Sequence, residues 1–206
     1  MEKLTEFQKD AIAEILNIGM GVAAASLSEM VQEPVYLSVP AVELLSQQKA
    51  ASKIKDIASE NLSAVIESFD GAFSGDAMLI FPESQSLVLV RALLKDEDMA
   101  LEVLSEMEQE ALIEVGNVIL NACLGSLANI FNRSLNYQLP TYAQGSFKEL
   151  LSQQTRLERE SEGILLLNMH FLMKETNIDG YFIILMDVAS LNELSKELEN
   201  YFGTST

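Results

Sequence analysis

The stretch that decides the fold is LTEFQKDAIAEILNIGMGVAAASLSEM at residues 4–30. It does so because a similar sequence, LSEMEQEALIEVGNVILNACLGSLANI, recurs at residues 104–130. A constant offset of 100 residues aligns 4–40 with 104–140 without a gap. Random matching would give only a couple of identities over this length, so the chain is predicted to be internally duplicated. The identical pairs are Leu4/Leu104, Glu6/Glu106, Ala11/Ala111, Glu14/Glu114, Asn17/Asn117, Ser26/Ser126, Leu27/Leu127 and Pro40/Pro140.

Each copy begins with the sequence signature of a helix start. Thr5 is followed three residues later by Gln8, and Ser105 by Glu108, which is the spacing of a capping box. Apolar residues then recur at helical spacing, so long helices are predicted to run to about Met30 and about Ile130. The predicted buried stripes are Phe7, Ala11, Ile15, Ile18 and Val22 in the first copy and Met107, Ala111, Val115, Val118 and Ala122 in the second.

The remainder of each copy predicts strands, a hairpin and a closing helix. Pro40 and Pro140 stop two short extended segments, because proline is tolerated at strand ends but not inside a ladder. Turn residues separate the two arms of each hairpin. The predicted short strands are Val35–Val39 and Leu135–Leu139. The predicted hairpins pair Ala64–Phe69 with Ala72–Phe81 around Asp70-Gly71, and Ile164–Met173 with Tyr181–Met186 around Asn177–Gly180. The closing helices are Ser84–Leu94 and Ser190–Phe202, the latter capped by Ser190, and we predict peripheral helices or loops at Gln47–Ser59 and Gln144–Glu160.

The fold class predicted from this order is α/β in the broad sense (α+β). A helix–strand–hairpin–helix unit occurs twice, related by a pseudo-twofold axis, with long helices packed on a largely antiparallel sheet. We predict one domain over residues 1–206 made of two repeats, about 4–95 and 104–202, that share a core and join near Lys95–Asp98.

Composition restricts the class of partner. The 206 residues carry 31 acidic and 13 basic side chains, a formal charge of −18, and 49% are hydrophobic. Such a surface repels nucleic acid and anionic lipid, because binding to either depends on Lys and Arg neutralising phosphate. The single cysteine, Cys123, cannot form an internal disulfide, and we find no charged-then-apolar leader or unbroken apolar run of membrane length. We therefore expect a soluble, cytoplasmic protein without membrane insertion.

Three other residue types have simple interpretations. Gly19 and Gly21 weaken a helix interior, and they predict either a close approach within the protein or room for a partner. His170, in an alternating strand, is expected to be an ordinary sheet residue. Cys123 lies in an apolar helical stretch and is expected to be in the core.

The candidate functional residues are a carboxylate and a carboxamide repeated at the same spacing. Glu14 and Asn17 are three residues apart, so they project from one helix face about one turn apart, and Glu114 and Asn117 repeat this. None of the four belongs to the predicted apolar stripes, so both pairs are expected to be solvated. The carboxylate can hold a cationic group, and the amide can donate and accept hydrogen bonds, as the positioning of a water requires.

This pattern resembles that of the CheC, CheX and FliY chemotaxis phosphatases, whose hallmark is Glu-x-x-Asn followed by 22 residues and proline. It occurs as Glu14-Ile-Leu-Asn17 with Pro40 and as Glu114-Val-Gly-Asn117 with Pro140. Three longer stretches are also similar to sequences of this family: EILNIGMGVAAASLSEM, EVGNVILNACLGSLANIF and SGDAMLIFPE. Two complete motifs at matching spacing make the resemblance specific.

The resemblance implies a protein-aspartyl-phosphate phosphatase that ends a chemotaxis signal. Asn17 and Asn117 would orient water in line with the phospho-aspartate of a CheY-like response regulator, and Glu14 and Glu114 would engage the active-site lysine of that receiver. Mg²⁺ is expected on the receiver, and no metal or cofactor is expected on this chain. Two alternatives remain: a non-catalytic module or flagellar-switch adaptor that binds phosphorylated receiver, and a regulator of a CheD-like deamidase, which is compatible with phosphatase activity.

Overall fold

The computed structural model describes residues 4–57, 61–94, 104–153, 163–173 and 176–203. The predicted junction at Lys95–Asp98 lies outside these ranges. The elements are α1 (Glu6–Val31), β1 (Val35–Ser38), β2 (Val42–Leu45), α2 (Gln47–Ile57), β3 (Leu62–Gly71), β4 (Gly75–Pro82), α3 (Glu83–Leu94), α4 (Glu106–Ile130), β5 (Leu135–Tyr137), β6 (Thr141–Gly145), α5 (Phe147–Ser152), β7 (Gly163–Met173), β8 (Thr176–Met186) and α6 (Val188–Phe202).

The two long helices start as predicted. The Thr5 hydroxyl accepts from the amide of Gln8 while the Gln8 side chain accepts from the Thr5 amide, and Ser105 and Glu108 form the same reciprocal bonds. Each capping box satisfies backbone N–H groups that the first helical turn leaves without a partner. The predicted ends at about Met30 and Ile130 agree with the structure to within one residue.

The strands form one antiparallel sheet that crosses between the repeats. Its order is β1-β7-β8-β4-β3-β5, with β2 also on β7 and β6 also on β3. The short strands of the first repeat therefore pair with the hairpin of the second, and those of the second with the hairpin of the first. Exchanging the repeats leaves this order unchanged, so the β4–β8 pair lies on a pseudo-twofold axis. The predicted fold class, long helices on a largely antiparallel sheet, is confirmed.

The two faces of the sheet carry different layers. The main core lies between one face and the helices α1, α3, α4 and α6, and a smaller core lies between the other face and α2 and α5. By length and composition, α1 and α4 could each cross a membrane, but half of each apolar window is buried inside the protein. A core helix of a soluble protein passes the same test, so these windows agree with the soluble chain that the composition predicts.

The predicted apolar stripes are partly wrong. Ala11 and Ile15 are buried, but Phe7, Ile18 and Val22 are exposed on α1, as is Met107 on α4. Apolar residues occur on most sides of these helices, so helical spacing allows several possible buried faces. Contacts with the sheet and with the other long helix select the buried one, which in α1 is Ala11, Ile12, Ile15, Leu16, Gly19, Met20, Ala23, Ala24 and Leu27.

Three local predictions need correction. β2 and β6 were not predicted, since each is short and follows a proline closely. Neither predicted hairpin turn is a turn: Asp70 and Gly71 are the last residues of β3 and pair with β5, and Asn177–Gly180 belong to β8 and pair with β7. Asp187, not Ser190, caps α6, and its carboxylate accepts from the Ser190 amide. The Ser190 hydroxyl instead accepts from the Ser74 amide at the end of the first hairpin.

The two glycines of α1 have opposite environments. A Cβ on Gly19 would lie 2.6 Å from the Cα of Cys123 and 2.8 Å from the carbonyl oxygen of Ala122, so this glycine allows the backbones of α1 and α4 to approach closely. A Cβ on Gly21 would meet nothing within 4 Å. Cys123 is fully buried at this crossing, as predicted for a core residue.

We predict that Gly19→Ala lowers the free energy of unfolding by about 1–3 kcal/mol, because the new methyl meets backbone that cannot rotate away. Gly21→Ala is the matched control and should raise stability by up to about 1 kcal/mol, since alanine favours a helix more than glycine does. Urea unfolding followed by circular dichroism measures both. Equal effects of the two substitutions would contradict the assigned close approach.

Candidate functional site

The four predicted site residues lie at the surface of the two long helices. Glu14 and Glu114 are exposed, and Asn17 and Asn117 are partly buried one turn further along α1 and α4. Each Glu–Asn pair therefore presents an exposed carboxylate beside a partly buried carboxamide. The glutamates are solvated as expected, and the asparagines are exposed only in part.

In the first repeat, the carboxamide of Asn17 is bonded to the backbone of Val39. Its Nδ2 donates to the Val39 carbonyl oxygen at 2.8 Å, and its Oδ1 accepts from the Val39 amide at 2.9 Å. Val39 lies between the end of β1 and Pro40, beyond the last β1–β7 pair of the described residues, and is only 1% exposed. We call this pair of bonds the Asn17–Val39 clamp. It ties the end of β1 to α1 and gives the spacing between Asn17 and Pro40 a structural role in the first repeat.

In the second repeat, the equivalent clamp is not formed. Leu139, the counterpart of Val39, is 89% exposed. The Asn117 Oδ1 instead accepts from Nδ2 of Asn121 at 2.6 Å, and the Asn117 carbonyl accepts from the same nitrogen at 3.0 Å. The two sites are therefore equivalent in sequence motif and different in hydrogen bonding.

The two repeats also differ in the sheet residue beside the proline segment, which is the residue before Pro40 or Pro140 with its proline. Antiparallel register places Ser38 beside His170 and Tyr137 beside Phe69. Continuing these registers places Val39 beside Met169, and Leu139 beside Glu67. Met169 belongs to the main core with Val39, whereas Glu67 puts a carboxylate at the equivalent position. Burying Leu139 there would bring an apolar side chain against a carboxylate, which is consistent with its exposure.

Glu67 was missed by the sequence interpretation and is the most unusual side chain near either site. It lies between Val65 and Phe69 on the helix-facing side of β3, is 1% exposed, and neither carboxylate oxygen has a hydrogen-bond partner among the described residues. Burial raises its pKa from 4.5 to about 7. Tyr137, on the adjoining strand, has a raised pKa because of its own burial and then the negative charge of Glu67. The signal in the sequence was an acid in the middle of a strand, directly after the apolar run Ala64-Val65-Ile66.

Other chemistry-bearing residues lie apart from these sites. His170 is in β7 and its Nδ1 bonds to Oδ1 of Asp179 at 2.6 Å across the β7–β8 ladder, on the exposed face of the sheet, as an ordinary sheet residue would. Within the described ranges, no three His, Cys, Asp or Glu side chains are grouped so that they could hold a metal ion.

Comparisons with known proteins find a family model and curated relatives that are similar to parts of the chain. A model of the CheC-like family matches residues 7–44, which contain Glu14, Asn17 and Pro40. The chain is 26% identical over 152 residues to the CheY-P phosphatase CheC of Bacillus subtilis, covering 73% of this chain and 72% of that protein.

Over residues 7–44 the chain is therefore similar to the CheC-like family. It is also 25% identical over 141 residues to the flagellar motor switch phosphatase FliY of Bacillus subtilis; the match covers 68% of this chain but only 36% of FliY, so it spans about a third of that relative's length.

Solved structures show the same fold for this chain. Thermotoga maritima FliY superposes with a TM-score of 0.78 at 18% identity, over 96% of this chain and 98% of that one. The FliM middle domain of H. pylori superposes with a TM-score of 0.67 at 11% identity, over 94% and 99% of the two chains. At these identities the likeness establishes the architecture.

The unequal clamps predict unequal effects on stability. Asn17→Ala leaves the Val39 N–H and C=O without their partners and should lower the free energy of unfolding by about 1–3 kcal/mol. Asn117→Ala, the matched substitution in the other repeat, should change it by about 0.5 kcal/mol or less, because no backbone group of the described residues outside α4 bonds to that side chain. Urea unfolding of both variants tests this difference. Similar losses in the two variants would show that the second repeat has a clamp as well.

The burial of Glu67 predicts a pH dependence of stability. Because the pKa of Glu67 is raised in the folded state, ionisation of this carboxyl group destabilises the fold. This destabilisation is absent below about pH 4.5, grows as the pH rises, and is complete above about pH 7. A rise from 4.5 to about 7 corresponds to at most roughly 3 kcal/mol. Glu67→Met, which copies Met169 of the other half, should therefore gain more stability over the wild type at pH 8 than at pH 5.

The measurement is the difference in urea unfolding free energy between wild type and variant at the two pH values, which cancels the titration of the other acids. Glu67→Gln serves as a neutral control that keeps the shape of the side chain and should show the same pH trend. A difference between wild type and variant that does not change with pH would contradict a protonated Glu67.

Proposed function

We propose that this chain hydrolyses the phospho-aspartate of a CheY-like response regulator and so ends a chemotaxis signal. The observation that supports the proposal is the repeated pair of an exposed glutamate and a neighbouring asparagine on a long surface helix, Glu14 with Asn17 and Glu114 with Asn117. The names of the two Bacillus subtilis relatives, a CheY-P phosphatase and a flagellar motor switch phosphatase, point to the same reaction.

The proposed docking surface is the exposed side of α1 or α4 around each pair. Ile18 and Val22 are both exposed beside the first pair, one and two turns beyond Glu14, and Gly21 adds no side chain between them. An apolar ridge next to a carboxylate suits a partner that presents a lysine within an apolar rim. The glutamate would bind the receiver's active-site lysine and set the register of the helix.

The proposed chemistry needs little from the phosphatase beyond positioning. Water attacks phosphorus, the bond between phosphorus and the aspartyl oxygen breaks, and dihydrogen phosphate and the aspartate carboxylate are released from the acyl phosphate dianion. The asparagine carboxamide would orient this water by accepting and donating hydrogen bonds, and it exchanges no proton itself. Placing the water in line lowers the entropic part of the barrier.

Charge neutralisation in this proposal belongs to the receiver. Its Mg²⁺ and lysine would stabilise the phosphoryl group, so the CheC-like chain needs no cofactor of its own. A net charge of −18 also disfavours nucleic acid and anionic membrane as partners. We place the protein in the cytoplasm, where a soluble receiver is available. A CheD-like deamidase is a further proposed partner, and a pull-down with that protein tests it separately.

A second candidate is a flagellar-switch adaptor or other binding module that captures phosphorylated receiver without hydrolysis. The observation that favours it is the Asn17–Val39 clamp, because both polar atoms of that carboxamide are already bonded within the protein. In this case the glutamate and the apolar ridge would bind receiver while the asparagine serves the fold.

The deciding measurement is the rate of phosphate release from a phosphorylated CheY-like receiver with wild type, Asn17→Ala, Asn117→Ala and the double variant. We expect the double variant to lose nearly all of the catalysed rate, on the order of 100-fold, because no carboxamide then orients the water. Receiver binding should be retained, since Glu14 and Glu114 remain.

Asn129→Ala is the matched control, because Asn129 is an exposed asparagine on α4 outside both motifs. It should leave the rate unchanged. Unfolding curves for every variant identify any that lose activity through loss of structure. A double variant as active as the wild type, or a wild type no faster than spontaneous hydrolysis, would replace the phosphatase by the adaptor.

A further inference from the structure

The two repeats hold their candidate asparagines with different partners. Asn17 is bonded to the backbone of Val39, whereas Asn117 is bonded to the side chain of Asn121. At the 100-residue offset Asn121 corresponds to Gly21, which has no side chain to offer. The first repeat therefore lacks the group that holds the carboxamide in the second.

The contact with Asn121 leaves the Asn117 carboxamide available to substrate. Asn121 donates to Oδ1 at 2.6 Å, and that oxygen has a second lone pair for another donor. Within the described ranges, Nδ2 of Asn117 makes no hydrogen bond, so both of its N–H groups can be used. The bond to Asn121 thus fixes which end of the amide carries oxygen and which carries nitrogen, while leaving both ends usable.

The neighbouring proline segment is also out of the way in this repeat. Leu139 is 89% exposed, and the Leu139 backbone makes no bond to Asn117 among the described contacts. At the first site, by contrast, the carboxamide must give up both bonds to Val39 before it can orient a water. Releasing those bonds leaves the nearly buried Val39 backbone without partners, which is unfavourable.

We propose that Asn121 is a positioning residue that holds the Asn117 carboxamide ready for the attacking water, so that the second repeat supplies the resting phosphatase activity. This inference rests on the proposed function and deepens it. Asn121 acts through Asn117 and does not itself touch the phosphoryl group.

The test uses the full chain in a Glu14→Ala background. Glu14 is exposed and outside the Asn17–Val39 clamp, so this change silences the first site without loosening the fold, and phosphate release from phosphorylated CheY-like receiver then reports the second site. Adding Asn121→Ala should lower kcat by about 5- to 10-fold, the equivalent of one lost hydrogen bond, with KM unchanged. Asn121→Gln, which keeps a donor amide, should recover part of the loss.

A double-variant cycle distinguishes positioning from a general structural role. Once Asn117→Ala is present, adding Asn121→Ala should have no further effect, because nothing remains to be positioned. In the chain with both sites intact, Asn117→Ala should remove most of the activity and Glu14→Ala only a minor part. Asn129→Ala is again the control on the same helix.

The failure of each proposal has its own signature. If Asn117→Ala abolishes second-site turnover but Asn121→Ala leaves kcat unchanged, raises KM instead, or slows turnover equally without Asn117, the role of Asn121 is overturned and the phosphatase remains. If Glu14→Ala removes most of the wild-type rate, the second repeat is not the resting site. If Asn117→Ala changes nothing in the Glu14→Ala background and the wild type adds nothing to spontaneous hydrolysis, the proposed function itself fails.

Discussion

The pairing of each repeat's short strands with the other repeat's hairpin is the constraint on which the rest of the structure depends. β1 and β2 are bonded to β7, and β5 and β6 to β3. Neither hairpin has its flanking strand from its own repeat, so the ladders join both halves in one sheet. The same pairing fixes which sheet residue lies beside each proline segment, and this determines the environment of each candidate site.

A symmetric frame can therefore hold two sites with different properties. The motif residues repeat, and so do the capping boxes and the strand order. Three pairs of equivalent positions do not: Met169 and Glu67 in the sheet, Val39 and Leu139 before the prolines, and Gly21 and Asn121 on the helices. Val39 and its clamp lie on the side where the sheet carries Met169, whereas the exposed Leu139 lies on the side where the sheet carries Glu67. The asymmetry is thus consistent in all three pairs.

The buried carboxyl group of Glu67, near the second site, lowers the stability of the fold. An unpartnered carboxylate in a core is unfavourable, and proteins keep such groups neutral or associate them with function. Gly19 has the opposite effect, because it lets α1 and α4 approach closely and so tightens the contact between the repeats. The first repeat contains Gly19 at the helix crossing and the Asn17–Val39 clamp. The second contains the exposed Leu139 and the buried Glu67.

The sequence by itself determined the duplication, the capping boxes, the two long helices, the hairpins and the four motif residues, because each depends on neighbours close in the chain or on text repeated at a fixed offset. It could not determine which side of α1 is buried, since apolar residues such as Ile12 and Ile18 compete equally by spacing. Only the tertiary structure decided that Asn17 bonds to Val39, because this contact joins residues 22 positions apart and needs the end of β1 to lie beside α1. The bond between Asn117 and Asn121 is local, since residues four apart share one helix face. The exposure of Leu139 could not be read from the sequence, because the place of each short strand depends on the long-range register of the sheet, a collective property that no local pattern encodes.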